Sequence, residues 1–534
     1  MKILFFVRTY ATKCRHEVFR LVFCCVSLYI TFILVPYITG NYIDCLTAAD
    51  DATAIWRCVG TLAAVWTIQI VLSYLKNMAG TKASARVSYF IEEDVLEQVK
   101  RLPLSFFTKN DGTYIGHRII SDAATVTQFV LLSLVSFLTD VLSLIVSAAV
   151  TIMIDSHVFL IILAAAPLYA SVYLIFKKPI YDLSYKCREH ENRFFSKINR
   201  QLSHIKPVKQ HVYYERLRDE MRSSYKELYS LTVKHARFGY LFGNADSFLR
   251  YIVTLSVFVF SGYGILKGKM TVGSFTMINS YTMMLISALS GILGLGKSYR
   301  TALVSYNRIN ELRTLPTEHN GTFDPGKIEQ ICIRDLSFSF DNRLLIDKLS
   351  CTLTKGNIYG VVGLNGSGKS TFIDLITGVI EEYTGEIFYN DENLRNVELY
   401  ELRRHRIAIV EQEPSLIFDS IGDISAEFEK GTAAQRWLDK LGMGELINRY
   451  IDAGHRKAID ISLFSGGEKQ RMILARALAK DADVMILDEP SSAIDGKTLE
   501  QLISIIKQQA PDKIILLITH EPSLIAICNT LIRL

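Results

Sequence analysis

Ile358 to Thr371 read IYGVVGLNGSGKST, five residues of a buried-strand type running into a loop with glycines at 363, 366 and 368, followed by Lys369 and Ser370. The helical stretch STFIDLITGV comes directly after, and that order of strand, glycine turn and helix has a physical use. Glycines let the backbone bend until its N–H groups converge on one anion, and the helix presents its positive dipole end to the same point. Gly363, Asn365, Gly366, Ser367, Gly368, Lys369, Ser370 and Thr371 are therefore expected to hold a nucleotide phosphate chain. In that loop Lys369 reaches the β- and γ-phosphates and Ser370 ligates Mg2+.

Further along, DVMILDEPSSAID delivers Asp488 and Glu489 to the carboxyl end of a second apolar strand. An aspartate in that place holds the Mg2+ shell, and the neighbouring glutamate polarises a water for in-line attack on the γ-phosphate. His520 follows a third buried run, IILLIT. Taken alone, a histidine there is more often a structural residue than a catalytic one.

Working outward, the 534 residues are 49% hydrophobic with a mean hydropathy of +0.22, too apolar for an ordinary soluble enzyme. The excess lies in the first 300 residues, as six runs at about 21–38, 55–75, 129–154, 158–176, 248–266 and 273–295. Each is near the roughly 20 residues a helix needs to cross a bilayer. Lys and Arg crowd the N-terminus and the segments 76–128 and 177–247, whereas 41–54 carries Asp44, Asp50 and Asp51. The positive-inside rule then places the N-terminus and both long segments in the cytoplasm, against which Lys267 and Lys269 weigh little. Nine scattered cysteines form no metal or redox motif, and free thiols are expected in preference to a bridge between Cys45 and Cys58. The net charge of +5 belongs to the cytoplasmic segments, so no nucleic-acid partner is inferred.

Pro316 and the stretch HNGTFDPGK mark a linker. Residues 1–313 are thus expected to form an all-α six-helix transmembrane domain, 314–327 a linker, and 328–534 an α/β domain. In the last, QICIRDLSFSF, GNIYGVVG, HRIAIVEQ, DVMILDEP and KIILLITH alternate with helical stretches, as in a mostly parallel sheet.

Between the two phosphate motifs sits LFSGGEKQR, and with it the chain resembles an ATP-binding cassette transporter of the exporter type, one transmembrane domain fused to one cassette. The signature falls on Ser465, Gly466 and Gly467, with Phe464 and Glu468 where Leu and Gln are commoner. The resemblance implies that Phe340 stacks on adenine, Gln412 senses Mg2+ and couples to the membrane domain, Asp495 communicates between sites, and His520 contacts the γ-phosphate. KGKMTVGSF and LPLSFFTKNDGTYIGHRIISD resemble the entry to the last span and the first coupling segment, with a second coupling segment near 210–220. The stretch YIDAGHRKAIDIS departs from the family pattern before the signature, and the chain runs 14 residues past His520, where C-terminal helices are expected to be absent.

The resemblance also implies ATP and Mg2+ as cofactors, and a dimer in which one chain's signature closes over the other's phosphate loop. A homodimer is favoured, with a heterodimer of related chains left open. The function expected is ATP-driven export through alternating access, in a bacterial plasma membrane, of a peptide or amphipathic molecule. A lipid or drug exporter, an importer on the same fold, and a non-transporting ATP-switched regulator remain alternatives. About 20 residues precede the first span, so an N-terminal leader peptidase is not expected. Within the spans Asp140 is a candidate ligand, although a packing role is the stronger reading; Asp246 and Arg250 are expected to pair, and Ser280, Tyr281, Met284 and Ser287 to line a cavity or a helix seam.

Overall fold

The computed structural model describes residues 2–48, 52–110, 112–340, 343–364, 366–412, 432–444, 464–492 and 494–534. Two compact units result, one of residues 1–97 and 116–314, the other of 98–115 and 315–534.

The first unit is helical: α1 (Lys2–Ala11), α2 (Arg15–Thr47), α3 (Ala52–Lys100), α4 (Leu104–Lys109, assigned to the second unit), α5 (Gly112–Gln128), α6 (Leu134–Ile154), α7 (Ser156–Ser203), α8 (Ile205–Gln210), α9 (Tyr214–Leu266) and α10 (Val272–Thr314). Six stretches are long and apolar enough to cross a membrane, in agreement with the six expected spans. The helices outrun the apolar segments that announced them. Where the fourth run covers 158–176, its helix continues to Ser203, because the charged faces that follow are still good helix formers although no longer suited to lipid.

Polar groups fix how these helices meet. Asp44 on α2 accepts from the Gly273 N–H at 2.7 Å and from the Thr271 hydroxyl at 2.8 Å, so it caps α10 from another helix. Gly273 makes this approach possible, since a Cβ there would lie 2.1 Å from the Gly40 carbonyl oxygen. Asp140 packs directly against Gly291, where a Cβ would come within 2.2 Å of its carboxylate, so this glycine interrupts the last apolar run for a packing reason. Asp246 and Arg250 pair at 3.1 Å as expected, with the Ser290 hydroxyl 3.5 Å from Asp246. Tyr281 is buried and its hydroxyl donates to the Ile33 carbonyl at 2.9 Å, which makes it a seam residue. Beyond the spans, buried Asp122 on α5 accepts from Ser305 at 2.8 Å and meets Arg308 at 3.2 Å, joining α5 to α10. None of the nine cysteines, all among the described residues, is in a disulfide.

Residues 98–115, which include the short α4, group with the second unit. The second bend lies at the start of the expected stretch 210–220. The turn is at His211–Tyr213, where Val212 takes a positive φ of 53°, and 214–220 already belong to α9.

The second unit holds two sheets. Four strands, β1 (Gln330–Phe340), β2 (Arg343–Thr354), β4 (Thr384–Tyr389) and β5 (Glu392–Asn393), form an antiparallel sheet in the order β2-β1-β4-β5. Five others, β3 (Ile358–Val362), β6 (Ile407–Val410), β7 (Val484–Asp488), β8 (Ile514–Ile518) and β9 (Thr530–Arg533), form a wholly parallel sheet in the order β6-β7-β8-β3-β9. QICIRDLSFSF therefore belongs to the antiparallel sheet and not the parallel one. Every residue of β7 and β8 is buried, which accounts for their unbroken apolar sequences. Parallel pairing brings the carboxyl ends of β3, β6, β7 and β8 to one edge, where ligands bind in such sheets.

Replacing Gly273 by Ala pushes a methyl into backbone and should destabilise the helical unit by about 1–3 kcal/mol, whereas Asp44→Ala, which only removes the cap, should cost about 0.5–2 kcal/mol. Thermal unfolding of the detergent-solubilised chain measures both.

Candidate functional site

The loop after β3 has the backbone its sequence demands. Gly366 and Gly368 take φ of 78° and 99°, and a Cβ on Gly363 would sit 2.4 Å from Ser367 Oγ. The following helix, Lys369–Ile376, leaves its first N–H groups without intrahelical partners, facing the concave side of the loop. Lys369 Nζ donates to the Gly363 carbonyl at 2.8 Å and lies 3.1 Å from His520 Nε2. Ser370 Oγ donates to Asp488 Oδ2 at 3.3 Å. Asn365 lies outside the described residues.

Glu489 continues from β7 with a positive φ of 44°, a strained conformation for a side chain of its size. Its N–H donates to the Ile518 carbonyl at 2.8 Å, which ties it to β8. Gln412, at the end of β6, donates from Nε2 to Glu489 Oε2 at 2.9 Å. Lys369, Ser370, Asp488, Glu489, Gln412 and His520 thus converge at one sheet edge although they span more than 150 residues.

The electrostatics fit a nucleotide with its metal ion. Asp488 is pushed up by burial and by Glu489, against the opposing effect of its Ser370 hydrogen bond. Asp374, on the loop helix, is pushed up from 3.8 to about 6 by burial and by the charges of Glu411 and Asp488. A divalent cation beside Ser370 and Asp488 would relieve that repulsion. Ser367 Oγ is buried and, among the described residues, without a hydrogen-bond partner, an opening for a phosphate oxygen. Phe340, at the tip of β1, is 53% exposed and presents a free aromatic face.

Ser465 begins the signature helix, Gly466–Ala479, and makes a capping box with Glu468: its hydroxyl and its N–H each donate to Glu468 Oε2 at 2.8 Å. These bonds hold the Glu468 carboxyl below its usual range. The two signature variants therefore have separate structural uses, since Phe464 is buried in the hydrophobic core beside the sheet. Among the described residues, Ser465, Gly466 and Gly467 make no hydrogen bond to the phosphate loop. Asp495 is exposed and accepts from the Thr498 hydroxyl at 2.5 Å, which lowers its pKa. The stretch YIDAGHRKAIDIS lies outside the described residues.

Sequence reading missed Gln470. It is buried, donates from Nε2 to the Glu489 carbonyl at 3.4 Å and accepts from the Ser492 hydroxyl at 3.4 Å. The available signal was a polar residue on the apolar face shared with Leu474 and Leu478. Asp374 was missed as well, because its acidic neighbours are remote in sequence.

A helical membrane-spanning unit joined to a P-loop nucleotide-binding cassette is the class of protein that this fold and site define. Two family models match, "ABC transporter transmembrane region" at residues 18–289 and "ABC transporter" at 346–492, and the chain belongs to the ABC transporter family. Among its relatives, the lactococcin-A transport/processing ATP-binding protein of Lactococcus lactis subsp. lactis is 24% identical over 482 residues, 87% of this chain and 66% of that protein. The chain thus spans just under two thirds of the length of that relative. The ATP-dependent lipid A-core flippase of Syntrophus aciditrophicus (strain SB) is 23% identical, covering 85% of this chain and 76% of that one. A bacterial Atm1-family ABC exporter solved with ATP bound shares the fold, with a TM-score of 0.84 at 20% identity over 97% of this chain and 94% of that one.

A carboxyl with a raised folded pKa binds its proton more tightly in the folded state, so it costs stability as pH rises through the interval between 3.8 and about 6. Asp374→Asn should accordingly raise the unfolding temperature of the nucleotide-free protein at pH 8, with the gain vanishing below pH 4. Thermal melts across that range check the sign.

Proposed function

We propose that the chain is an ATP-driven exporter that works as a dimer in a bacterial plasma membrane, with the N-terminus and cassette in the cytoplasm. The observation that carries this reading is the convergence of Lys369, Ser370, Asp488, Glu489, Gln412 and His520 at one sheet edge, in a chain that also has six apolar spans.

In this reading residues 1–313 form the transmembrane domain, 314–327 the linker and 328–534 the cassette. The loop from Gly363 to Thr371, Asn365 included, wraps the phosphates, Lys369 and His520 address the γ-phosphate, and the exposed ring of Phe340 receives the adenine. Ser370, Asp488 and Gln412 would hold Mg2+, and a cation there would neutralise charge on the phosphates. Glu489, held by Gln412, orients and polarises the attacking water. Ser465, Gly466 and Gly467 cap the partner's nucleotide and Asp495 links the two sites, in keeping with the absence, among the described residues, of a hydrogen bond between signature and loop within one chain. Binding of two nucleotides closes the cassettes, hydrolysis reopens them, and the spans alternate access to their central cavity.

A peptide or other amphipathic molecule is the substrate class favoured, supported by the similarity to the lactococcin-A transport/processing protein. The lipid flippase supports a lipid as the second reading. Retention of both Glu489 and His520 favours turnover over a purely regulatory use of ATP.

Glu489→Gln removes the carboxylate while keeping the shape of the site. Turnover should fall by about 100-fold or more while nucleotide binding persists. ATPase assays paired with binding of a fluorescent ATP analogue test this; turnover near that of the parent would remove the assigned role.

A further inference from the structure

The last turns of the two nucleotide-facing helices meet at one point. Leu402–Arg406 form a single π-turn ahead of β6, a rare geometry that occurs mostly at functional sites. From this turn Arg403 donates to the carbonyls that close the loop helix, Nε to Thr377 at 3.0 Å and Nη2 to Gly378 at 2.7 Å. Lys480, which caps the C-terminus of the signature helix, donates from Nζ to the Arg403 carbonyl at 2.6 Å and also to the Ile407 carbonyl. One five-residue turn therefore holds the far ends of both helices whose first turns carry the phosphate loop and the signature serine.

The same arginine faces outward to the connection with the spans. Its Nη1 lies 3.0 Å from Glu318 Oε2, and the Tyr400 hydroxyl bonds that carboxylate too. The Glu318 N–H donates to the Arg101 carbonyl at 2.7 Å, and Gln98 Nε2 donates to the Leu315 carbonyl at 3.4 Å. Residues 98–101 are the end of α3 and the start of the segment that carries α4. The side chains of Arg403 and Glu318 are only 24% and 15% exposed, so their pairing is shielded and breaking it leaves a charge without its partner. The planar guanidinium suits this place because it reaches two carbonyls and a carboxylate at once, which an ammonium cannot do with the same geometry.

We propose that Arg403 and Glu318 are positioning residues for the ATP reaction: they pass the displacement of the loop and signature helices to residues 98–101, and so into α3 and the spans. This rests on the ATP-driven reading above. Neither residue touches the nucleotide. A simple structural staple would alter stability and ATP affinity together, whereas a relay alters the distant response and leaves the local one.

Hydrogen exchange followed by mass spectrometry, on the full chain in lipid discs with and without ATP and vanadate, separates the two. In the parent, exchange should slow in 369–378 and change in 98–115. With Arg403→Met, 369–378 should still slow and the ATP half-saturation should stay within about twofold, while the change in 98–115 is lost and turnover falls about tenfold. Arg403→Lys, which keeps the charge, should restore part of the response. Glu318→Gln carries the same test with a milder change, should Arg403→Met fail to fold. A full response of 98–115 in both Arg403→Met and Glu318→Gln would overturn the relay alone. No slowing of 369–378 in the parent would overturn the ATP-driven reading, and the relay with it.

Discussion

The lack of any side chain at Gly363 is the constraint on which the cassette depends. A Cβ there would fall 2.4 Å from Ser367 Oγ and 2.7 Å from the Leu534 carbonyl oxygen, so the loop turns tightly between its strand and the last residue of the chain. From that turn follow the left-handed conformations of Gly366 and Gly368, the inward aim of the helix N–H groups, and the reach of Lys369 back to the Gly363 carbonyl. The strand that delivers the loop is held between β8 and β9, so its position is set by parallel neighbours on both sides. One of those neighbours leads into His520, and the strand beyond it ends at Asp488 with Glu489 next. A small steric fact at one residue is thereby linked to the geometry of the whole site.

A second theme is the use of shielded polar contacts to join elements that are distant in sequence. Asp44 caps α10 from α2, Asp122 ties α5 to α10, and Arg403 joins the loop helix to the linker. Each involves an ionisable side chain met by specific polar partners, so each favours one arrangement over near alternatives. Packing among apolar helices alone discriminates poorly between such alternatives, because lipid is as apolar as the side chains it would replace.

Much of this was legible in the sequence. The six spans stand out because hydrocarbon imposes a length and a composition on a helix, and the loop and acidic strand because phosphate chemistry imposes an order on residue types. Helix ends were less legible: hydropathy reports where lipid stops, not where the helix does, as the continuation of α7 to Ser203 shows. The antiparallel sheet was missed because β2 reads RLLIDKLSCTLT, half exposed and with Asp347 and Lys348 interrupting its apolar residues, and β4 is only 6 residues long. Gln470, Asp374 and Arg403 escaped for a different reason. Their importance lies in contacts across the fold, and Arg403 within RRHR reads as part of a solvated charge run until Glu318, 85 residues earlier, is found beside it.

The central claim is that chemistry at the phosphate loop and movement of the spans are one process. ATP turnover of the purified chain in lipid discs, followed while fractionated peptides or lipids are added, tests it most directly. The account predicts that at least one fraction raises turnover by a saturable amount. Steady turnover unmoved by every fraction, from a protein that binds and hydrolyses ATP, would contradict it.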